Sequence, residues 1–290
     1  MLPPAGKTTR GRLFSMAPGN NCRVHVHYSR TSHLDQAAVA GLLTRLAPDE
    51  RERCARFVFE RDRRDYAAAH VLLRESLSAR GDRAPGDWRF EADDRGKPRL
   101  AEGSPRLFFN LSHTDGLVAC AVSRDVDVGI DVERINHAAA HEDVYTRYFS
   151  DAEVAQLWRC AAEVRPARFI ELWTLKEAYL KGVGCGLSIP LSSFGFQFGA
   201  SSTLTFTAAA EALAGSAAAS EWDFALFEPA LGYRMALAVR IGAMPLTVML
   251  AGRDPHPAEP VRVLRQSEWA YKEKARFIAE AGSIHKAETP

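Results

Sequence analysis

The chain has no apolar run approaching the roughly 20 residues needed to span a bilayer, no CxxC pair, and no excess of charge of one sign. Each absence removes a class. Without a long apolar run, a membrane-spanning protein is not expected. The five cysteines, Cys22, Cys54, Cys120, Cys160 and Cys185, are odd in number and widely spaced. That excludes a disulfide framework or a zinc module and makes the reducing cytoplasm the expected compartment. Lys plus Arg total 37 against 36 for Asp plus Glu, a net charge of +1. A general binder of nucleic acid or of anionic membranes would carry a basic excess; a local basic patch stays open. The opening residues, MLPPAGKTTRGRLFSMAPGN, are basic but lack the apolar core of a signal peptide, so 1–22 read as a loose tail. Gly6-Lys7-Thr8 lacks the upstream glycine and the preceding strand of a P-loop.

What is present is a folding composition. Of the 290 residues, 47% are hydrophobic and 25% charged, enough to bury a core in one large domain or two smaller ones. Alternation over 23–29 predicts a strand, with His25 and His27 on one face and no third metal ligand in view. Apolar spacing predicts a helix over 37–46, and an arginine-rich helical region follows over 49–80, stopped by Gly81. Strands are expected at 88–91, 107–110, 117–123 and 128–133. Ser150 with Glu153 forms a capping box that starts a helix over 151–160. A further helix enters at Pro166 and stops at Gly182. Strands recur at 194–198, 222–227 and 233–241, with a variable Ala/Ser/Thr-rich segment over 200–220. Beyond 242 the prolines and a charged helical stretch over 267–281 read as an appendage. Helices then strands, twice over, predict an α+β fold of two similar halves, 23–130 and 131–242, with 243–290 appended.

Four clusters carry candidate chemistry. Asp131 and Glu133 stand two apart on a strand and share a face. Neighbouring carboxylates repel, and a hard cation such as Mg2+ relieves the repulsion; a solvated strand end shows the same pattern. Trp173, Glu177 and Lys181 lie along one helix face at i, i+4, i+8, as a site or as a plain surface ion pair. The Gly182-Val-Gly184-Cys-Gly186 run follows a helix instead of opening one, so it is no dinucleotide fingerprint. Phe109-Asn110-Leu111-Ser112-His113-Thr114 ends a strand in hydrogen-bonding side chains. Adjacent Ser112 and His113 diverge, and no acid partner or GxSxG elbow accompanies them; the pair suits phosphate binding or a capped turn. The fourth cluster is basic: Arg51, Arg53, Arg56, Arg61, Arg63 and Arg64, with Arg95 and Lys97 downstream, are interleaved with acids and form mostly a solvated face, from which one or two could clamp a phosphate.

Taken in order, Gly96-Lys97-Pro98, Phe109–His113, Gly129-Ile130-Asp131-Val132-Glu133, Phe149-Ser150 with Glu153, Trp173–Lys181 and Gly186-Leu187-Ser188 closely resemble the 4'-phosphopantetheinyl transferases of the Sfp-like, surfactin-synthetase-activating type. The segment Pro48–Phe57 fits that family's early helix, and the likeness covers about 23–241. The resemblance implies two similar α/β halves related by a pseudo-twofold, with coenzyme A bound in the cleft between them. It implies transfer of phosphopantetheine from coenzyme A to a serine of an acyl or peptidyl carrier protein, releasing adenosine 3',5'-bisphosphate. Fatty-acid, polyketide and nonribosomal-peptide carriers are all open. By the same resemblance Asp131, Glu133 and Glu177 bind Mg2+; Ser112, His113, Lys97 and Arg53 hold coenzyme A. Lys181 sits at the pyrophosphate and offsets charge on the leaving group. Glu177, or a magnesium-bound water beside it, is the base. Glu50 stands where the family has a lysine, which leaves the 3'-phosphate to Arg51 or Arg64. Carrier docking is expected around 112–115 and the loops before the Glu177 helix. One chain builds the whole cleft, so a monomer suffices, with no nucleic-acid or membrane partner. Two other readings share parts of the pattern: a non-catalytic coenzyme A- or carrier-binding relative, and a magnesium-dependent nucleotide hydrolase.

Overall fold

Val24, Val26 and Tyr28 alternate with the polar Arg23, His25 and His27, and the chain forms strand β1 (Cys22–Arg30) with the three apolar side chains in the central core. The structure, a computed structural model, describes residues 22–136, 142–199, 202–208, 219–242, 244–254, 261–267 and 276–279. After β1 come helices α1 (Gln36–Thr44), α2 (Pro48–Ala55) and α3 (Glu60–Ser78), a small hairpin β2 (Phe90–Ala92) and β3 (Pro98–Leu100), then β4 (Phe108–Thr114) and β5 (Leu117–Ser123). The second half repeats the plan: β6 (Val128–Arg134), α4 (Glu142–Tyr148), α5 (Asp151–Arg159), α6 (Arg165–Val183), β7 (Phe194–Phe198), β8 (Thr203–Ala208), β9 (Trp222–Glu228) and β10 (Tyr233–Arg240). In one sheet the order runs β1-β5-β4, in the other β6-β10-β9, all antiparallel. A 19-residue helix lies over each, α3 on the first and α6 on the second. The two expected halves are therefore visible as a repeated strand–helices–strand–strand unit. The expected junction at 130/131 falls inside β6, which belongs wholly to the second sheet.

Three apolar layers build the core, and the central one joins the halves. Val24, Val26, Leu117, Ala119 and Ala121 of the first sheet share one core with Val128, Ile130, Val132, Leu237 and Val239 of the second. The opposite faces pack on the helices: Val118, Cys120 and Val122 against Ala69, Leu72 and Leu73 of α3, and Phe224, Ala236 and Ala238 against Leu172, Leu175 and Tyr179 of α6. Both faces of β5 are buried, which is why it reads as an unbroken apolar run.

Several expected elements differ. The helical region over 49–80 is two helices, broken at Arg56–Phe59. Phe57 packs on Tyr66, with ring centroids 5.3 Å apart, and Arg63 donates to the freed carbonyls of Phe57 at 2.8 Å and Val58 at 3.3 Å. Helix α6 runs through Gly182 and ends at Gly184, whose φ of +72° suits glycine. The segment over 200–220 contains β8. The stretch beyond 242 supplies strands to both sheets. β11 (Leu246–Gly252) pairs parallel with β1 and sends Leu246, Val248 and Leu250 into the central core. β12 (Arg262–Ser267) joins the second sheet, and β13 (Arg276–Ala279) pairs with β11. Within the region expected to be helical over 267–281, Ser267 ends β12 and 276–279 form β13 instead; residues 268–275 and 280–281 lie outside those described. So do 1–21 of the expected tail. No helix among the described residues is long and apolar enough to cross a membrane.

Candidate active site

Helix α6 meets β6 at two glycines. A Cβ on Gly129 would collide with the Ala178 carbonyl oxygen and the Gly182 backbone, and one on Gly182 with the Trp222 ring, 2.7 Å away. The close approach carries the last turns of α6 over the carboxylate face of β6. Val128, Ile130 and Val132 point into the core, so Asp131 and Glu133 point the other way, toward α6.

Asp131 is 3% exposed. Lys181 Nζ lies 2.6 Å from its Oδ1, Ser112 Oγ donates to the same oxygen at 2.9 Å, and Lys181 donates to Ser112 at 2.9 Å. The other oxygen, Oδ2, is buried without a hydrogen-bond partner. Thr114 Oγ1 donates to Glu133 at 3.2 Å. Burial and the Asp131 charge push Glu133 up to about 7. The same two causes raise Glu177, with Lys181 opposing them. Each acid thus feels another's charge in a poorly solvated place, where a divalent cation is stabilising. Among the described residues no three His, Cys, Asp or Glu side chains enclose a metal on their own. A Mg2+ held here would complete its shell with substrate and water oxygens, as that ion ordinarily does. The orphaned Asp131 oxygen and the crowded Glu133 and Glu177 suit such an ion.

Two cavities open on this cluster. One, of about 210 Å³, is lined by Arg95, Lys97, Asn110, Glu177, Lys181 and Gly184. The other, of about 850 Å³, is walled by Glu133, Arg134, Ile135, Phe169, Ile170 and Trp173, with Thr114 and Asp115 at its edge. Lys97 reaches the first cavity from the β2–β3 hairpin. Its stem packs on Gly184, its Nζ donates to the Gly182 carbonyl at 2.7 Å, and burial lowers its pKa.

Residues 127–238 match the 4'-phosphopantetheinyl transferase superfamily, and residues 35–125 match the N-terminal region of 4'-phosphopantetheinyl transferases. The 4'-phosphopantetheinyl transferase HetI of Nostoc sp. is 35% identical over 159 residues, 53% of this chain and 67% of that protein. The chain belongs to the 4'-phosphopantetheinyl transferase family. Two Bacillus subtilis transferases are comparably similar. Sfp is 32% identical over 149 residues, 51% of this chain and 65% of its own length. The transferase ffp is 31% identical over 161 residues, 56% and 70% respectively. The alignments thus span about two thirds of each relative.

Within this transferase the expected site residues are not all alike. Ser112, Asp131 and Lys181 are in direct contact, and Glu177, Lys181 and Lys97 line one cavity. Glu133 faces the larger groove. Ser112 is buried and fully engaged, accepting also from Val132 N at 3.3 Å. His113 points away from β6 and stands exposed in the field of Asp65, Lys181 and His70. The Arg53 guanidinium lies 5.9 Å over the Tyr66 ring. Of the two arginines weighed for the 3'-phosphate, Arg51 donates to the Leu43 carbonyl near the end of α1 and to the Leu46 carbonyl just beyond it, both at 3.2 Å. Arg64 pairs with Asp65 at 2.9 Å and stands 3.7 Å from Asp115.

Sequence reasoning missed three features. Asn110 and Thr114 flank Ser112 at alternate positions of β4, a period-2 signal present in the motif to which no role was assigned. Lys176, inside the same helical motif as Glu177, is fully buried and pairs with the equally buried Glu153 at 2.8 Å. It also donates to the carbonyls of Leu191 at 2.7 Å and Phe194 at 2.5 Å. Glu50 joins α2 to α3 through Arg74 at 2.9 Å and His70 at 3.0 Å.

Proposed function

We propose that this transferase moves 4'-phosphopantetheine from coenzyme A to a serine of an acyl or peptidyl carrier protein, with Mg2+ held by Asp131, Glu133 and Glu177. The observation that carries the proposal is the buried, unpartnered Asp131 oxygen on a carboxylate bonded to Lys181, which with Glu177 lines a cavity shared with Arg95 and Lys97. Coenzyme A carries a pyrophosphate and a 3'-phosphate, and such groups call for fixed positive charge. Lys97, Arg95 and His113 hold those phosphates, Arg53 contributes from α2, and Ser112 holds Lys181 and Asp131 at the pyrophosphate. When bound, Mg2+ withdraws charge from the pyrophosphate oxygens.

Glu177 accepts the proton of the carrier serine. The serine oxygen bonds to the phosphorus on the pantetheine side of the pyrophosphate. The bond from that phosphorus to the bridging oxygen breaks, and adenosine 3',5'-bisphosphate departs with the electron pair. Lys181 meets the charge gained by the leaving phosphate. The larger groove receives the carrier: Ile135, Phe169 and Trp173 give an apolar wall, and Arg64 and Arg134, either side of Asp115, give the rim a basic edge. A monomer in the cytoplasm suffices, because every residue named comes from one chain.

The test is a panel of apo carrier proteins incubated with labelled coenzyme A. Label entering a carrier serine with Mg2+ and not with chelator supports the proposal. Coenzyme A binding without transfer to any carrier would make the chain a non-catalytic relative. Bisphosphate release without a protein acceptor would make it a hydrolase.

A further inference from the structure

β4 and β6 run side by side across the junction of the halves, yet they belong to different sheets. What bridges them is a row of side chains. Asn110, Ser112 and Thr114 occupy alternate positions of β4 and so face the same way. Asn110 Oδ1 accepts from Ile130 N at 2.8 Å, and Ser112 Oγ accepts from Val132 N at 3.3 Å. Thr114 Oγ1 donates to the Glu133 carboxylate at 3.2 Å. Asn110 and Ser112 are 8% and 5% exposed, so the bonds are made away from solvent, where an unpaired N–H is costly. The seam ends on the two cavities: Asn110 lines the smaller one with Glu177 and Lys181, and Thr114 lines the groove with Glu133.

We propose that Asn110 and Thr114 are positioning residues, Asn110 fixing the register of β6 against β4 and Thr114 fixing the Glu133 carboxylate. The first half thereby sets where the acids of the second half stand. This rests on reading Asp131 and Glu133 as ligands of a divalent ion. A backbone ladder would hold two strands 4.7–4.9 Å apart and leave side-chain positions indifferent to it. A side-chain ladder ties the strand spacing to the same residues that orient the acids. Ser112 belongs to the row as well, but it touches Lys181 and Asp131 directly and so does not separate positioning from binding.

The test uses the full chain with coenzyme A present. Mn2+ binding is read by electron paramagnetic resonance, and transfer is assayed against Mg2+ concentration. Thr114→Val keeps the shape and removes the hydroxyl. It is expected to weaken Mn2+ binding about tenfold or more, the usual cost of losing a partner that orients a metal ligand, and to raise the Mg2+ KM more than it lowers kcat. Thr114→Ser restores both. Asn110→Ala is expected to weaken Mn2+ binding as well; if that variant does not fold, the Thr114 pair decides alone. Thr114→Val that melts lower but binds Mn2+ like wild type would overturn the inference and leave the metal reading intact. Wild-type protein that binds no Mn2+ even with coenzyme A would overturn that reading and the inference with it.

Discussion

At the scale of single residues, charge placement decides what each ionisable group does. Glu50, where the resemblance expects a lysine, is 4% exposed. Burial works against its charge, yet hydrogen bonds from His70, Arg74 and the Ala47 N–H bring its pKa down to about 2. It is an anchor between helices. Glu133 is the opposite case, raised to about 7. Its folded state holds a proton more tightly than the unfolded chain, so stability from that proton is lost as pH rises from about 4.5 through 7. Glu133→Gln is therefore expected to raise the Tm of metal-free protein at pH 8 while weakening Mg2+ binding; calorimetry with and without chelator checks both. His27 is buried with neither ring nitrogen bonded, and burial plus Arg253, Arg80 and His25 lower its pKa to about 3. The unfolded chain takes that proton near 6.5 and the folded one does not. Stability is fully present above 6.5 and falls toward 3, by about 2 kcal/mol between pH 7 and 5. His27→Gln is expected to flatten that dependence in denaturant titrations. The faces that Asp131 shares with Glu133 and Glu177 with Lys181 were legible in the sequence from the strand and helix periods. The bond from Ser112 to both Asp131 and Lys181 was not, since the serine and the lysine lie 69 positions apart and meet only when α6 lands on β6.

At the scale of elements, the site depends on how closely α6 approaches β6. Gly129→Ala would push the helix off the strand, and no flexible side chain is there to yield, because the obstacles are backbone atoms. The expected result is a loss of about 3 kcal/mol or more with transfer reduced further than stability alone explains, measured by urea unfolding beside the carrier assay. The Glu153–Lys176 pair holds the other side of α6. Lys176→Met would leave a fully buried carboxylate without its partner, at a cost of about 3–5 kcal/mol. The motif around Glu177 thus mixes two purposes. Lys176 faces the core and Glu177 and Lys181 face the cleft, a 100° difference per residue that sequence shows only once the core face is known. Element boundaries were legible where caps or alternation marked them, as at Ser150 and along β5. They were lost where tertiary packing overrode local preference, as at Phe57, which bends the chain to reach Tyr66.

At the scale of the whole molecule, two copies of one strand–helices–strand–strand plan face each other, and the site lies on their seam. The halves were legible from the repeated order of elements. The role of the chain beyond 242 was not, because its prolines suggested an appendage while Leu246, Val248 and Leu250 carry a strand pattern that buries only against β1. Truncation before Leu246 would uncover the central core and the edge of β1. It is expected to yield aggregated protein without a cooperative melt, checked by size exclusion and calorimetry. A soluble, two-state truncated chain would show that the C-terminal strands are dispensable. The central claim is that Asp131 and Glu177, brought together with Lys181 at that seam, carry out transfer from coenzyme A. Its most direct test is the intact mass of an apo carrier protein incubated with coenzyme A, Mg2+ and wild-type chain, Asp131→Ala or Glu177→Ala, each variant first shown to be folded. The account predicts one added phosphopantetheine with wild type and almost none with either variant. Full conversion of the carrier by both folded variants would contradict it.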